Sequence, residues 1–207
     1  WSPGGGGNGT YRYKLDNSDL TSGATTTTST SYTPGSGISE GSHTLYVQEQ
    51  NAAGNWSSSG SRTIVIDTTA PAITGTTVAS NNASIAVTFS EAVYNTSGGS
   101  GALEASDFTL TLSGGTATLA SATPSSISSS SNTYTLGLSL SGTPNGSETI
   151  TVVPSSSTAI YDAAGNAAST SQSNNTVTLN DQTAPTLSSV SIASNNSTST
   201  LAAVGDN

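Results

Sequence analysis

The sequence predicts an all-β protein of sandwich modules set in tandem, an elongated array with no single large core. Three observations carry this. Apolar residues alternate with polar ones at period two through many short runs. The 3.6-residue spacing of an amphipathic helix is almost absent. A phrase also recurs: Asp67-Thr68-Thr69-Ala70-Pro71 returns as Asp181-Gln182-Thr183-Ala184-Pro185, and 181 − 67 = 114. The agreement continues from Val78-Ala79-Ser80-Asn81-Asn82 to Ile192-Ala193-Ser194-Asn195-Asn196 at the same offset. A period of that length is too long for a solenoid and fits domains of ordinary size in series.

The strands can be read in order. Tyr11, Tyr13 and Leu15 alternate with Arg12, Lys14 and Asp16, followed by Leu45 and Val47 and later by Ile64 and Ile66. Beyond the first linker come a strand near 72–79, then Ile85, Val87 and Phe89, then Phe108, Leu110 and Leu112. Tyr134, Leu136, Leu138 and Leu140 follow, then Ile150 and Val152, then a strand near 175–180. That makes about seven strands in the central module, the count of an immunoglobulin-like (Ig-like) sandwich. Turn-rich stretches such as 95–101 and 142–146 separate them. The reading divides the chain into residues 1–67, a partial module lacking its opening strands; 68–181, a complete Ig-like module; and 182–207, the opening of a further one. The chain starts without Met, so an internal piece of a longer protein is expected. Gly4–Gly7 reads as a flexible hairpin connection, and the Thr25–Thr33 tract as a mobile polar loop.

Composition removes several functions. The net charge is −9, and Arg12, Lys14 and Arg62 are the three basic residues. Phosphate backbones and anionic membrane surfaces need clustered Lys or Arg, so neither nucleic acid nor a membrane surface is expected as a partner. No transmembrane run or lipidation motif is present. The chain has no cysteine, so each module must hold together by its core alone. An acidic, Lys-poor, Ser/Thr-rich composition points to an extracellular or bacterial cell-surface location.

At these residues a resemblance enters. Gly9–Asp16, Ser39–Gln48 and Ala53–Ser57 together resemble a fibronectin-III/Ig-like repeat of large bacterial surface proteins. Ser84–Val93, Ala159–Asn166 and the Asp-x-Thr-Ala-Pro linkers resemble the bacterial Ig-like modules of S-layer-associated proteins and giant adhesins. The resemblance spans nearly the whole chain and implies the same sandwich fold, with calcium stiffening the junctions between modules.

In such a sandwich the linker before the first strand, the loop after the second and the loop before the last share one pole. In the central module these hold Asp67, Glu91, and Asp162 with Asn166. Three carboxylates and an amide oxygen suit Ca²⁺, which takes six to eight oxygen ligands. The other reading is a turn in which Asp162 and Asn166 bond to local backbone. At the corresponding place in the first module Asn51 replaces the Asp, which weakens any site there, and Glu49 is expected on a solvated face.

Enzyme signals are poor. His43 is the single histidine and reads as a surface strand residue. Glu91, Glu104 and Asp107 have no spacing that demands paired-carboxylate chemistry. Trp1, Trp56, Tyr46 and Tyr94 could stack on sugars, although packing within the sandwich is the commoner role of such Trp residues. Sequons such as those at Asn8, Asn55, Asn82 and Asn145 arise by chance in so Ser/Thr-rich a chain. The expected function is a non-catalytic extension segment of a secreted or cell-surface adhesin, with adjacent modules or like chains as partners and surface glycans reached through other domains. The alternatives are a self-assembling filament joined by strand complementation, and a carbohydrate-binding accessory module.

Overall fold

The structure, a computed structural model, describes residues 1–191. The Ile192–Asn196 copy and the rest of the third module's opening lie outside them. The protein is all-β, as expected. Residues 7–66 form one four-stranded antiparallel sheet in the order β2-β1-β3-β4, from β1 (Gly7–Leu15), β2 (Thr25–Thr27), β3 (Gly41–Asn51) and β4 (Gly60–Ile66).

After the first linker come β5 (Ile73–Val78) and β6 (Ser84–Phe89), a 3₁₀ turn (Ala105–Asp107), β7 (Phe108–Ser113), β8 (Thr118–Leu119) and β9 (Ile127–Ser130). β10 (Thr133–Gly137), β11 (Leu140–Ser141), β12 (Thr149–Pro154) and β13 (Thr176–Thr178) complete the set. They build one sheet in the order β5-β6-β10-β9, a second in the order β13-β12-β7, and a small β11-β8 pair.

The two larger sheets close on each other because each strand has one apolar side. Along β6, Ile85, Val87 and Phe89 are buried and alternate with less buried neighbours, and β12 repeats the pattern with Ile150, Val152 and Pro154. Alternation at period two sends every second side chain to the same face, and the two faces together make the core. At its centre Phe89, Phe108 and Tyr134 meet with ring centroids 5.9–6.3 Å apart. The Tyr134 hydroxyl donates to the Val93 carbonyl at 3.3 Å, which satisfies its polar end inside an apolar setting.

Several expectations change. Thr25–Thr27 is a strand on the edge of the first sheet, pairing Tyr11 with Thr27 and Tyr13 with Thr25. β-branched threonines suit a pleated edge, and pairing with β1 outweighs their polarity. The Gly4–Gly7 stretch does not remain a free connection. Gly7 opens β1, the Gly4 N–H donates to Glu49 Oε2 at 2.7 Å, and the Glu49 carboxylate fills the space a side chain on Gly7 would need. Glu49 is therefore half-buried rather than solvated. The strands at 118–119 and 127–130 are two to four residues long, too short for alternation to register. The run from Tyr134 to Leu140, expected as one strand, is split: β10 ends at Gly137, and Leu140–Ser141 pairs with β8 in a different sheet. Asn82, read as a chance sequon, is 3% exposed and donates its side-chain amide to the Asn180 carbonyl.

Candidate cation site at the linker

The site forms where the first linker meets the pole of the second unit. β6 ends at Phe89, and the next residue fixes the linker: the Ser90 N–H donates to the Ala72 carbonyl at 2.8 Å, and Ser90 Oγ accepts from the Ala72 N–H at 3.1 Å. Glu91 follows directly. From the other side Tyr161 bridges to Tyr94 and Ala167, which delivers the Asp162 turn to the same pole. One carboxylate oxygen each from Asp67, Glu91 and Asp162 lies within 4.8 Å of the other two. The structure thus brings together the three carboxylates that the strand order placed at one pole.

The turn itself is built by Asp162. Its Oδ1 accepts the Gly165 and Asn166 N–H groups, both at 2.7 Å, and its own N–H donates to the Asn166 carbonyl at 3.1 Å. Gly165 sits at φ 97°, where a side chain would be strained. Asn166 takes part as a brace: its side-chain N–H₂ donates to Asp162 Oδ2 at 2.7 Å and to the Asp67 carbonyl at 3.1 Å. It ties the linker backbone to the buried carboxylate, a role that residue type alone does not reveal.

The same turn recurs in the first unit with a neutral head. Asn51 Oδ1 accepts the Ala53 and Asn55 N–H groups at 3.0 Å, and the Asn51 N–H donates to the Asn55 carbonyl at 2.9 Å. The backbone bonds of the turn therefore need an oxygen at that position, while the bond from the Asn166 side chain to Asp162 Oδ2 has no counterpart in the first unit.

Electrostatically the cluster is strained. Burial first, then the Asp162 and Asp67 charges, push the Glu91 carboxyl above its ordinary value. No basic side chain stands ready to balance it, because Arg12 and Lys14 lie on β1 and Arg62 on β4, all in the first sheet. The donor set fits a hard divalent cation. Ligand oxygens at about 2.3–2.6 Å from a shared Ca²⁺ stand at most about 5 Å apart, and these three meet that limit. Asp67, Glu91 and Asp162 would hold the ion, and Asn166 would position two of them.

A fourth carboxylate, Glu40 just before β3, grips the linker from the other side. Glu40 Oε1 accepts the Thr68 N–H at 3.2 Å and the Thr68 and Thr69 hydroxyls at 2.5 and 2.7 Å. Those bonds, the Thr68 hydroxyl first, hold the Glu40 carboxyl below its usual range. The linker is thus bonded on both sides, to Glu40 before it and to Asn166 after it. Glu40→Ala is expected to lower the ¹⁵N order parameters of the Thr68 and Thr69 amides from about 0.85 to below about 0.6. The amides of β6 and β12 should not change, and unchanged Thr68 and Thr69 values would remove the grip.

The remaining candidates are dispersed. Glu104 and Asp107 cap the 3₁₀ turn against each other. His43 is not free on a strand surface: its Nδ1 donates to Asp16 Oδ2 at 2.6 Å and its Nε2 to the Ser39 carbonyl at 2.8 Å, with Ser39 Oγ further off at 3.5 Å. With both nitrogens donating, the ring keeps no lone pair to take a serine proton. The Asp16 bond first, then Ser39, raise the His43 pKa above its ordinary value. Trp1 packs on Tyr11 and Tyr13, whereas Trp56 packs under Arg12, whose place on β1 faces the other way. The two Trp rings therefore make no shared stacking platform.

No family model matches the chain, and no curated protein matches it. A solved structure of chitinase ChiA74 from Bacillus thuringiensis is similar at 18% identity and TM-score 0.24, over 82% of this chain and 24% of that one. This chain spans about a quarter of that protein's length, and at that TM-score the likeness carries no argument. The class defined here is that of the fold: an antiparallel, all-β sandwich protein.

Proposed function

We propose that the chain is a non-catalytic extension segment of a large bacterial cell-surface or secreted adhesin-like protein, whose linker is stiffened by Ca²⁺. The observation that carries this is the carboxylate cluster Asp67–Glu91–Asp162, one member of which belongs to the repeated linker itself. An ion bound there joins the linker to two loops of the next module and removes the freedom of a hinge. Pro71 adds to this, since its ring fixes φ and biases Ala70 to extended backbone. The partners on this reading are adjacent modules of the same polypeptide or like chains. The acidic surface, net charge −9, supports an extracellular setting and disfavours nucleic acid.

The test is a thermal melt of the full chain with and without calcium. A site of the affinity common in extracellular modules, at about 10 mM Ca²⁺, is expected to raise Tm by about 3–8 °C. Chelator reverses the rise, and Glu91→Gln, which leaves the hydrogen bonds of the Asp162 turn in place, abolishes it. An identical Tm with calcium and with chelator would sink the cation reading.

A further inference from the structure

The two ring nitrogens of His43 face two acceptors. Nδ1 lies 2.6 Å from Asp16 Oδ2, and Nε2 lies 2.8 Å from the Ser39 carbonyl oxygen. A carboxylate and a carbonyl only accept, so both bonds exist together only while the ring carries two protons. A neutral imidazole carries one. The arrangement is complete in the imidazolium form alone, and one bond must be given up when the ring loses its charge.

The bond to Asp16 is the one that stays. Asp16 Oδ1 accepts the Thr44 N–H at 2.8 Å, and the Asp16 N–H donates to the Thr44 carbonyl at 2.8 Å, so β3 holds this carboxylate in place. Hydrogen bonds to a charged group are also the stronger ones. The proton lost is therefore the one on Nε2. That leaves a ring lone pair aimed at the lone pairs of the Ser39 carbonyl, and the two repel. The Ser39 hydroxyl, 3.5 Å from Nε2, can donate to that nitrogen once the Ser39 backbone turns its carbonyl away.

Ser39 leads directly into Glu40, the carboxylate that accepts from Thr68 and Thr69 in the linker. Residues 34–40 contain no strand, and their own backbone bond runs from the Ile38 N–H to the Gly35 carbonyl at 3.3 Å. Among the described residues, hydrogen bonds tie this stretch to the rest of the chain at two points: His43 to Ser39, and Glu40 to the linker. Loss of the first leaves the second without its support.

The charges around the ring set the direction. Asp16, at the end of β1, is the charge that acts on it. Ile64 lies opposite His43 on β4, and Arg62 is the next residue along that face. Lys14 belongs to the opposite face, and the Glu40 carboxylate is turned to the linker. The Asp16 bond first, then the Ser39 carbonyl, raise the His43 pKa above its ordinary 6.5. Both bonds are thus complete below 6.5, and the Ser39 bond is lost as pH rises through the raised value.

We infer that His43 is a proton switch on the linker: the imidazolium clamps Ser39 and so keeps Glu40 on Thr68 and Thr69, and the neutral ring releases them. This goes beyond the extension reading and does not need the cation.

The experiment is NMR of the 207-residue chain, in chelator, between about pH 5.5 and 9, the range in which histidine changes charge. It follows the His43 ring carbons and the γ-methyl order parameters of Thr68 and Thr69. Both order parameters are expected to fall by about a third, with the same midpoint as the ring. Asp16→Asn removes the charge that holds the proton, at φ 59° where asparagine is tolerated, and should move both midpoints down by about one pH unit. In His43→Gln the order parameters should not depend on pH. Order parameters that stay level while the ring titrates would overturn the inference, as would a fall with pH that persists in His43→Gln. So would a midpoint that Asp16→Asn leaves in place. Calcium is absent throughout, so the outcome is separate from that of the cation site.

Discussion

Asp162→Ala is expected to lower the stability of the second unit by roughly 2–4 kcal/mol and to abolish any response to calcium. Asp162 is fully buried and receives three N–H donors, from the Gly165 backbone and from the Asn166 backbone and side chain. Alanine strands all three, and each unsatisfied buried donor costs about 1–3 kcal/mol, moderated where water can enter. Asn166 also loses the anchor from which it holds the Asp67 carbonyl, so the linker loosens with the turn. Asp162→Asn keeps an oxygen for the Gly165 and Asn166 backbone N–H groups but turns an N–H₂ towards the Asn166 side chain, so it is expected to cost roughly 1–2 kcal/mol, less than alanine. Urea unfolding of both variants measures this, and equal losses would mean that charge, not hydrogen bonding, holds the turn.

A second large effect is expected at Glu148, a carboxylate with no exposed surface. Its Oε1 accepts the Thr116 N–H at 2.7 Å and the Ala117 N–H at 3.0 Å, and its Oε2 accepts the Asn145 N–H at 3.0 Å. These bonds, Ala117 first, outweigh burial and hold its pKa down to about 2 from an ordinary 4.5. Gly115, at φ 60°, packs so closely against the Glu148 side chain that no other residue fits.

Because the folded pKa is depressed, the stabilisation is fully present above the unfolded value and is lost as pH falls from about 4.5 towards 2. Glu148→Gln keeps the shape but turns an amide N–H₂ towards backbone donors. It is expected to lower Tm by roughly 5–10 °C at pH 7. Melts between pH 7 and 2 should show wild type converging on the variant at the acid end. A constant gap across that range would rule out the carboxylate as the cause.

Much of the fold was legible in the residues. β6, β7, β10 and β12 were read from alternation alone, because a strand buried on one face must repeat its apolar residues every second position. The pole of the cation cluster was legible too, since antiparallel order decides which loops lie at the same end. What escaped was short or indirect. β8 and β9 carry too few residues to show a period, β11 was read as the continuation of β10, and β2 looked like a polar loop because an edge strand needs little apolar content. Glu148 lay in a turn-rich stretch and gave no signal, as its partners are backbone amides from residues 116, 117 and 145.

By itself the sequence determined an all-β chain, a repeat of 114 residues, an acidic surface, and a set of three carboxylates that strand order sends to one pole. Those properties are local or arithmetic, so they survive without coordinates. Only the tertiary structure decided that the carboxylate oxygens come within 4.8 Å, that Asn166 braces the linker and does not simply cap a turn, and that Glu40 grips the linker from the other side. It alone also brought the His43 ring to Asp16. These depend on contacts between residues far apart in the chain, and such distances are set by how sheets pack, which no local pattern encodes.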